Sequence, residues 1–459
     1  MRRGETQATR SDPFYHWPRF TTIERILTQI SAQPLGQLTR FSKETWSPEN
    51  HNTSTFFYIE IGGVDRFTAA VTANEIPVAD APSRARMKVR TGDIIVSLTR
   101  PHHGSIALIK KEHHGCIAST GFAIIRNIDE TQISKEYLVH TLRSSICLDQ
   151  MLRRSSGGNY PAITEEELAN IKIPVPPAEI QCRLVAELDP ARVQRDQSLA
   201  EAESLLASID SYVLELLAIL PHQDPRRVFA VRRDQVSSRL DADYHSPQFQ
   251  RLRRAIENGN YPSKYLSELV VFMRSGFAAG RRDQALGGEP AVPHLRPLNL
   301  SAWGELSIDK TKSVPASSVK PDDYLVHGEV LFNNTNSAEW VGKSGVYDLE
   351  TPCACSNHMT RISLKPGIDP YFIAALLNAF RGIGYFSALS TFFNNQAGIN
   401  TATLAELRVP VPSETVQKAI AKEVVQRKAK AMRLRTHAEN IWQEALSHFE
   451  QQLLHGGIT

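Results

Sequence analysis

"IPVPPAEIQCRL" runs from Ile173 to Leu184, and "VPVPSETVQKAI" runs from Val409 to Ile420, 236 residues later. Each copy stands just before a long stretch of helical periodicity. Proline cannot continue a helix but is tolerated in its first turn, so Pro176-Pro177 and Pro412 mark two helix starts. A boundary written twice in the same way implies that what precedes it is also written twice.

The rest of the chain supports that reading. "RSDPFYHWPRF" (Arg10 to Phe20) matches "RLDADYHSPQF" (Arg239 to Phe249) at an offset of 229, sharing Tyr15/Tyr244, His16/His245, Pro18/Pro247 and Phe20/Phe249. "GDIIVSLT" from Gly92 pairs with "GEVLFNNT" from Gly328, and Cys116 to Arg126 pairs more loosely with Cys353 to Ser363. "YLVHTLRS" from Tyr137 pairs with "YFIAALLN" from Tyr371; Ile163, Leu168 and Gln181 fall on Ile399, Leu404 and Gln417. A unit of about 230 residues is too long for a solenoid repeat, so the chain reads as a tandem pair of domains.

Within each unit the pattern passes from strand to helix. "MKVRTGDIIVSL", "SIALIKK" and "CIASTGFAIIR" are short β-branched runs broken by glycine, whereas "YLVHTLRSSICLDQML" and "PYFIAALLNAF" have helical spacing. The final helix is the most regular element. Val185, Leu188, Leu199, Leu205, Leu206, Ile209, Val213, Leu216 and Leu217 recur at three- and four-residue steps in the first copy. Ile420, Val424, Val425, Met432, Ile441, Ala445, Phe449 and Leu453 do so in the second. Pro190 is expected to interrupt the first helix, with Asp189 capping a restarted one. One apolar stripe on each long helix is most simply buried by packing the two together as a coiled coil.

Composition sets the outer limits. With 459 residues, 41% apolar and 22% charged, the chain is globular and too long for one core. It has no apolar run long enough to span a membrane, and "MRRGETQATRSDPF" lacks the apolar segment of a signal peptide, so a soluble, cytoplasmic protein with no membrane partner is expected. The five dispersed cysteines (Cys116, Cys147, Cys182, Cys353, Cys355) suit reduced thiols better than a disulfide framework. A net charge of +3 neither demands nor excludes a nucleic-acid partner, so any basic surface must be local.

A "GD-I-hydrophobic" strand, a "SSGGNYPAIT" loop, an "I-x-I-P-V-P-P-x-E-x-Q" boundary and a long helix, their order repeated in the second half, resemble the specificity subunit of type I restriction-modification systems. The resemblance covers nearly the whole chain. It implies an α+β architecture: two tandem mixed α/β target-recognition domains joined by two long antiparallel coiled-coil spacer helices, with an internal pseudo-two-fold repeat. The expected division is residues 1–175 for the N-terminal segment and first recognition domain, 176–222 for the first spacer, 223–411 for the second recognition domain and 412–459 for the second spacer. The resemblance also implies a non-catalytic subunit that reads a split target in double-stranded DNA, with two unlike half-sites and the paired helices as a ruler. Two modification (methyltransferase) subunits would dock on it and bring S-adenosylmethionine, no cofactor being bound by this chain itself, and motor-nuclease restriction subunits can join them.

Candidate DNA contacts follow from residue type and position. Arg84, Arg86, Lys88 and Arg90 alternate, so in a strand they share one face that attracts phosphate; the same run also reads as a solvated edge strand using charge against aggregation. The polar loops at matched positions offer groups that can pair with base edges. "TRPHHGS" (Thr99 to Ser105) supplies Arg100, His102 and His103, and its counterpart "TNSAEWVGKSG" (Thr335 to Gly345), with the preceding Asn334, supplies Asn336 and Lys343. "RRSSGGNYPA" (Arg153 to Ala162) supplies Arg153, Arg154, Ser155, Asn159 and Tyr160, and "FFNNQAGI" (Phe392 to Ile399) supplies Asn394, Asn395 and Gln396. Of the five tryptophans, most are expected in the core.

Enzyme-like motifs are incomplete. "SAEWVGKSG" has Ser337 where a phosphate-binding loop needs its first glycine. His102, His103, His113, His114 and Cys116, or Cys353, Cys355 and His358, lack the spacing of a metal site. "PDDYLVHGEVLF" has no lysine two residues after Glu329, and no Asn-Pro-Pro-aromatic segment of adenine methyltransferases occurs. Two other classes stay open: a stand-alone DNA-modifying or cleaving enzyme with degenerate motifs, and a duplicated protein-binding scaffold, which a salt-dependent DNA affinity would separate from a DNA reader.

Overall fold

The computed structural model describes residues 13–30, 32–50, 53–219, 228–233, 236, 240–394 and 396–455. The chain divides into two compact units, Met1–Ser198 with Thr436–Thr459, and Leu199–Arg435. Each unit therefore takes one part of each long helix, Ala178–Leu216 and Glu414–His455. The architecture is α+β, with mixed sheets and helices in both units.

In the first unit a four-stranded sheet runs in the order Thr39–Phe41, Phe122–Ile128, Ile94–Ser97, Ile106–Leu108. A second runs Asn74–Pro77, Thr55–Ile59, Ile117–Ser119, Ala85–Lys88. The second unit repeats the first of these sheets as Val270–Ser275, Met359–Leu364, Val330–Asn333, Ser344–Val346. The strands Ile94–Ser97 and Val330–Asn333 are buried at every position, which is why both read as continuous apolar runs rather than alternating ones. Both are entered through a glycine at φ +89°, Gly92 and Gly328, a conformation that any Cβ would strain. One parallel pairing also recurs, Tyr58 with Ile117 in the first unit and His294 with Ala354 in the second.

The repeated proline boundary acts through its glutamine. In the first unit Gln181 is buried, accepts from the Ser134 backbone N–H at 2.9 Å, and donates to the Gln132 and Pro176 carbonyls at 2.7 and 2.8 Å. Ser134 in turn caps the helix Lys135–Arg143. Gln417 does the same in the second unit, accepting from Asp369 N–H at 3.0 Å and donating to the Pro412 carbonyl at 2.9 Å, and Asp369 caps Pro370–Gly382. Each glutamine thus ties the start of a long helix to the start of a core helix, satisfying backbone groups that burial would otherwise leave unpaired.

The long helices pair within each unit, and the pairing is antiparallel. In the first unit Glu187 meets His448 at 3.5 Å and Gln194 meets His437 at 3.3 Å, while Leu184 and Leu188 share a core with Trp442, Phe449 and Leu453. In the second, Glu201 pairs with Lys430 at 2.7 Å and Ser208 with Arg427 at 2.9 Å, over a core of Leu206, Ile209, Val213, Ile420 and Val424. Leu216, Val425 and Met432, placed in the stripe by spacing, are exposed, because each lies one step round the helix from a buried neighbour such as Val424. The helix also continues through Pro190 rather than restarting there. Asp189 is not a cap; its carboxylate accepts from Arg192 at 2.8 Å, and the packing of Leu184 and Leu188 beside it offsets the hydrogen bond that proline forgoes.

Candidate nucleic-acid interface

Two of the polar loops singled out in each half meet, in the same register. In the first unit Thr99 bridges Ala162, Arg100 N–H donates to the Pro161 carbonyl at 2.7 Å and Ile163 N–H to the Leu98 carbonyl at 2.9 Å. In the second, Thr335 pairs with Gly398, Asn336 with Ala397, and Ile399 N–H donates to the Asn334 carbonyl at 2.9 Å. All partners in the second unit are those of the first moved by 236 residues. Each crossing borders a cavity, about 450 Å³ in the first unit and about 510 Å³ in the second.

The walls of the two cavities occupy equivalent positions but differ in chemistry. Ile61, Gly62, Thr99, Arg100 and Tyr160 line the first; Pro297, Leu298, Thr335, Asn336 and Gln396, each 236 residues on, line the second. The first wall is cationic and aromatic: the Arg100 guanidinium lies 4.3 Å over the Tyr160 ring and donates to the Asn159 carbonyl at 3.2 Å. Tyr160 is 70% exposed. His103, Arg66 and one acidic residue, Asp65, also line this side. Burial, then His103 and Arg100, hold the His102 imidazole below its ordinary pKa; for His103 the causes are burial, Arg66 and Arg100. The second wall offers amides, with Trp340, Arg296 and His358 beside them.

Other candidates serve the fold. Arg153 is buried, donating to Glu24 at 2.6 Å and to the Tyr15 carbonyl at 2.8 Å, and Arg154 pairs with Glu167 at 2.8 Å. The Ser155 hydroxyl donates to the Met151 carbonyl at 2.8 Å. Asn334 is buried and donates to Ser275, Asn357 and Thr360. Lys343 reaches the second cavity but spends its ammonium on the Pro297 and Leu300 carbonyls at 2.9 and 2.6 Å, and burial lowers its pKa. Asn394 sits at the exposed tip of its hairpin with φ +46°, and Asn395 lies outside the described residues.

The basic run behaves differently from its sequence pattern. Only Arg86 and Lys88 fall inside the strand Ala85–Lys88, and a register shift between Ala85 and Met87 breaks the alternation on which one shared face depends. Glu44 meets Lys88 at 3.7 Å, Arg90 at 2.9 Å and Arg126 at 2.6 Å. The Arg90 hydrogen bond is the main reason the Glu44 carboxyl lies below its ordinary pKa. Arg84 is exposed.

Arg66 and Arg296 are cavity residues that no sequence motif pointed to, and His358, weighed only as a metal ligand, joins them at the second cavity. Of the five tryptophans, Trp442 is buried as expected of most of them, Trp340 lines the second cavity and Trp17 is half exposed.

Residues 52–192 match the family model for the type I restriction modification DNA specificity domain. This is the class that the duplicated motifs resemble. Among curated relatives the chain is 29% identical over 164 residues to a protein named "Putative type I restriction enzyme MjaX specificity subunit" of Methanocaldococcus jannaschii, covering 34% of this chain and 37% of that one. It is 25% identical over 115 residues to the type I restriction enzyme HindI specificity subunit of Haemophilus influenzae, covering 25% of each. The matched segments thus span well under half of either relative. Among solved structures, the HsdS subunit from Thermoanaerobacter tengcongensis aligns over 93% of this chain and 96% of its own at 20% identity, with a TM-score of 0.36. A type I R-M system chain described for complex assembly and conformational transition aligns over the same shares at 20% identity, with a TM-score of 0.48. Among the described residues no helix is long and apolar enough to cross a membrane.

Proposed function

We propose that this chain is the DNA sequence-specificity subunit of a type I restriction-modification complex, reading a bipartite target whose two halves differ. The observation that carries the reading is the loop crossing, built twice in one register and walled by unlike residues. Equivalent backbones place the two readers on equivalent scaffolds, and different side chains give them different half-sites. Arg100 suits guanine O6 and N7, whereas Asn336 and Gln396 suit the N6 and N7 edge of adenine. His102, Asn159 and Asn394 stand as further candidates on the same loops, and Arg84, Arg86, Lys88 and Arg90 as phosphate contacts that would position the duplex without specifying sequence.

On this reading the subunit is non-catalytic. Double-stranded DNA is its ligand, two methyltransferase subunits dock on it and bring S-adenosylmethionine, and motor-nuclease subunits can join them. The paired helices set the gap between half-sites, and the domain limits 1–175, 176–222, 223–411 and 412–459 separate reader from spacer. The test is to copurify the chain with its modification subunit and measure binding of a fragment carrying the methylated motif across a salt series. Sequence-dependent affinity that falls steeply with salt is expected. Modification or cleavage of DNA by the purified chain alone would refute the non-catalytic reading.

A further inference from the structure

The two units differ at a second place, away from the loop crossing. In the first unit two ion pairs cross the space between the helix Pro18–Gln29, the helix Ser145–Arg154 and the short helix Glu165–Ala169. Arg153 reaches Glu24 at 2.6 Å with its guanidinium 4.1 Å over the Tyr15 ring, and Arg154 reaches Glu167 at 2.8 Å.

The second unit keeps the frame of that place and loses its charges. Ser390 repeats Ser155, each hydroxyl donating to the carbonyl four residues back, and Asn400 repeats Thr164 as a helix cap. These anchors put Ala388 and Leu389 where Arg153 and Arg154 stand, and Thr403 where Glu167 stands. The match of Phe20 with Phe249 puts Arg253 where Glu24 stands. With both bridging arginines gone, a cavity of about 610 Å³ remains, a size suited to a small molecule.

Its lining brings two arginines and a buried tyrosine together. Arg408 lies 3.7 Å over the Tyr265 ring, donates a long hydrogen bond of 3.4 Å to the Ser263 carbonyl, and no carboxylate among the described residues is in ion-pair range of it. Arg253 donates to the Tyr244 hydroxyl at 2.9 Å and meets Glu257 at 3.3 Å. Tyr385 is only 3% exposed, yet its hydroxyl has no hydrogen-bond partner among the described residues and borders the cavity. Burial raises its pKa, so it stays a donor. Glu406, exposed, also lines the space.

We propose that this cavity binds a small oxyanion, the phosphate or carboxylate of a small molecule, between Arg253 and Arg408 with the Tyr385 hydroxyl donating to it. In the first unit Glu24 and Glu167 are the carboxylates that meet Arg153 and Arg154; in the second those arginines are replaced by Ala388 and Leu389, Arg253 and Arg408 line the space instead, and the anion comes from outside. The size of the cavity and the burial of Tyr385 favour a small molecule over a duplex backbone.

The test titrates the full chain with inorganic phosphate and with citrate by calorimetry. The variant carrying Leu389→Arg and Thr403→Glu rebuilds the first unit's ion pair and fills the cavity while supplying its own partner. Wild type should bind one of the two probes, and this variant and Arg408→Gln should each bind about tenfold more weakly or not at all. Thermal melting and the methylation motif should be unchanged in the rebuilt variant, which separates this site from DNA reading. If neither probe binds the wild type, or if the folded rebuilt variant binds as well as the wild type, the proposal is wrong.

Discussion

Replacing Glu329 with glutamine leaves its shape in place and removes one charge from a pair that is 3% exposed on each side. Arg361 donates to both carboxylate oxygens, at 2.9 and 2.7 Å, and to the Asp322 and Tyr324 carbonyls at 2.7 Å each. No second carboxylate contacts Arg361 among the described residues, so the substitution strands a buried guanidinium, which costs about 3–5 kcal/mol. For a unit of this size that corresponds to a fall of roughly 6–20 °C in melting temperature. The first unit supplies the control. Arg126 meets Asp93 at 2.8 Å but also Glu44 at 2.6 Å, so Asp93→Asn leaves the arginine neutralised and should cost only about 1–2 kcal/mol. Chemical denaturation of the full chain, followed by circular dichroism and calorimetry, compares the two. Equal losses, or a loss below about 1 kcal/mol for Glu329→Gln, would refute the argument that the stranded charge sets the cost.

Further outcomes follow from the same packing. Asn336→Ala and Gln396→Ala should each weaken or relax recognition of one half-site by about 1–3 kcal/mol, and Arg100→Ala the other, read as methylation frequency across motif variants. Gln181→Ala and Gln417→Ala each remove the acceptor of a half-buried helix-start N–H and should cost about 1–3 kcal/mol in urea denaturation. His140 packs beside Trp442 and Phe449, and burial, then Arg143 and Arg192, lower its pKa to about 4. The folded state therefore refuses a proton that the unfolded chain accepts below about pH 6.5, so this group removes up to about 3 kcal/mol of stability as pH falls from 6.5 to 4 and nothing above that window. His140→Phe should flatten that part of the stability profile, measured by denaturation at pH 5 and 7.5.

Much of the architecture was legible because the repeat exposes which patterns matter. The strand runs after Gly92 and Gly328, and the matched glutamines Gln181 and Gln417, could be aligned by eye, though nothing local revealed that each glutamine locks a helix cap. The buried ion pair shows where alignment fails. By strand register Arg126 lies opposite Asp93, but the position opposite Glu329 is Ser363, and the arginine has moved two residues along the same strand face to Arg361. A face tolerates that shift, whereas a residue-by-residue match does not. Arg153, Arg154 and Lys343 were nominated for DNA because lone cations in loops invite it; their partners, Glu24, Glu167 and two carbonyls of the 297–300 turn, are distant in sequence or carry no side-chain signal. Pro190 misled for the opposite reason, since tertiary packing sustains a helix that local chemistry would end.

The central claim is that this chain dictates which DNA sequence is modified. The most direct measurement is single-molecule sequencing of adenine methylation in a host carrying this chain and its modification subunit, with residues 30–175 then exchanged for those of another specificity protein. Methylation confined to a split motif with unlike halves, only one of which changes after the exchange, is the predicted result. Methylation independent of this chain, or both halves changing together, would contradict the account.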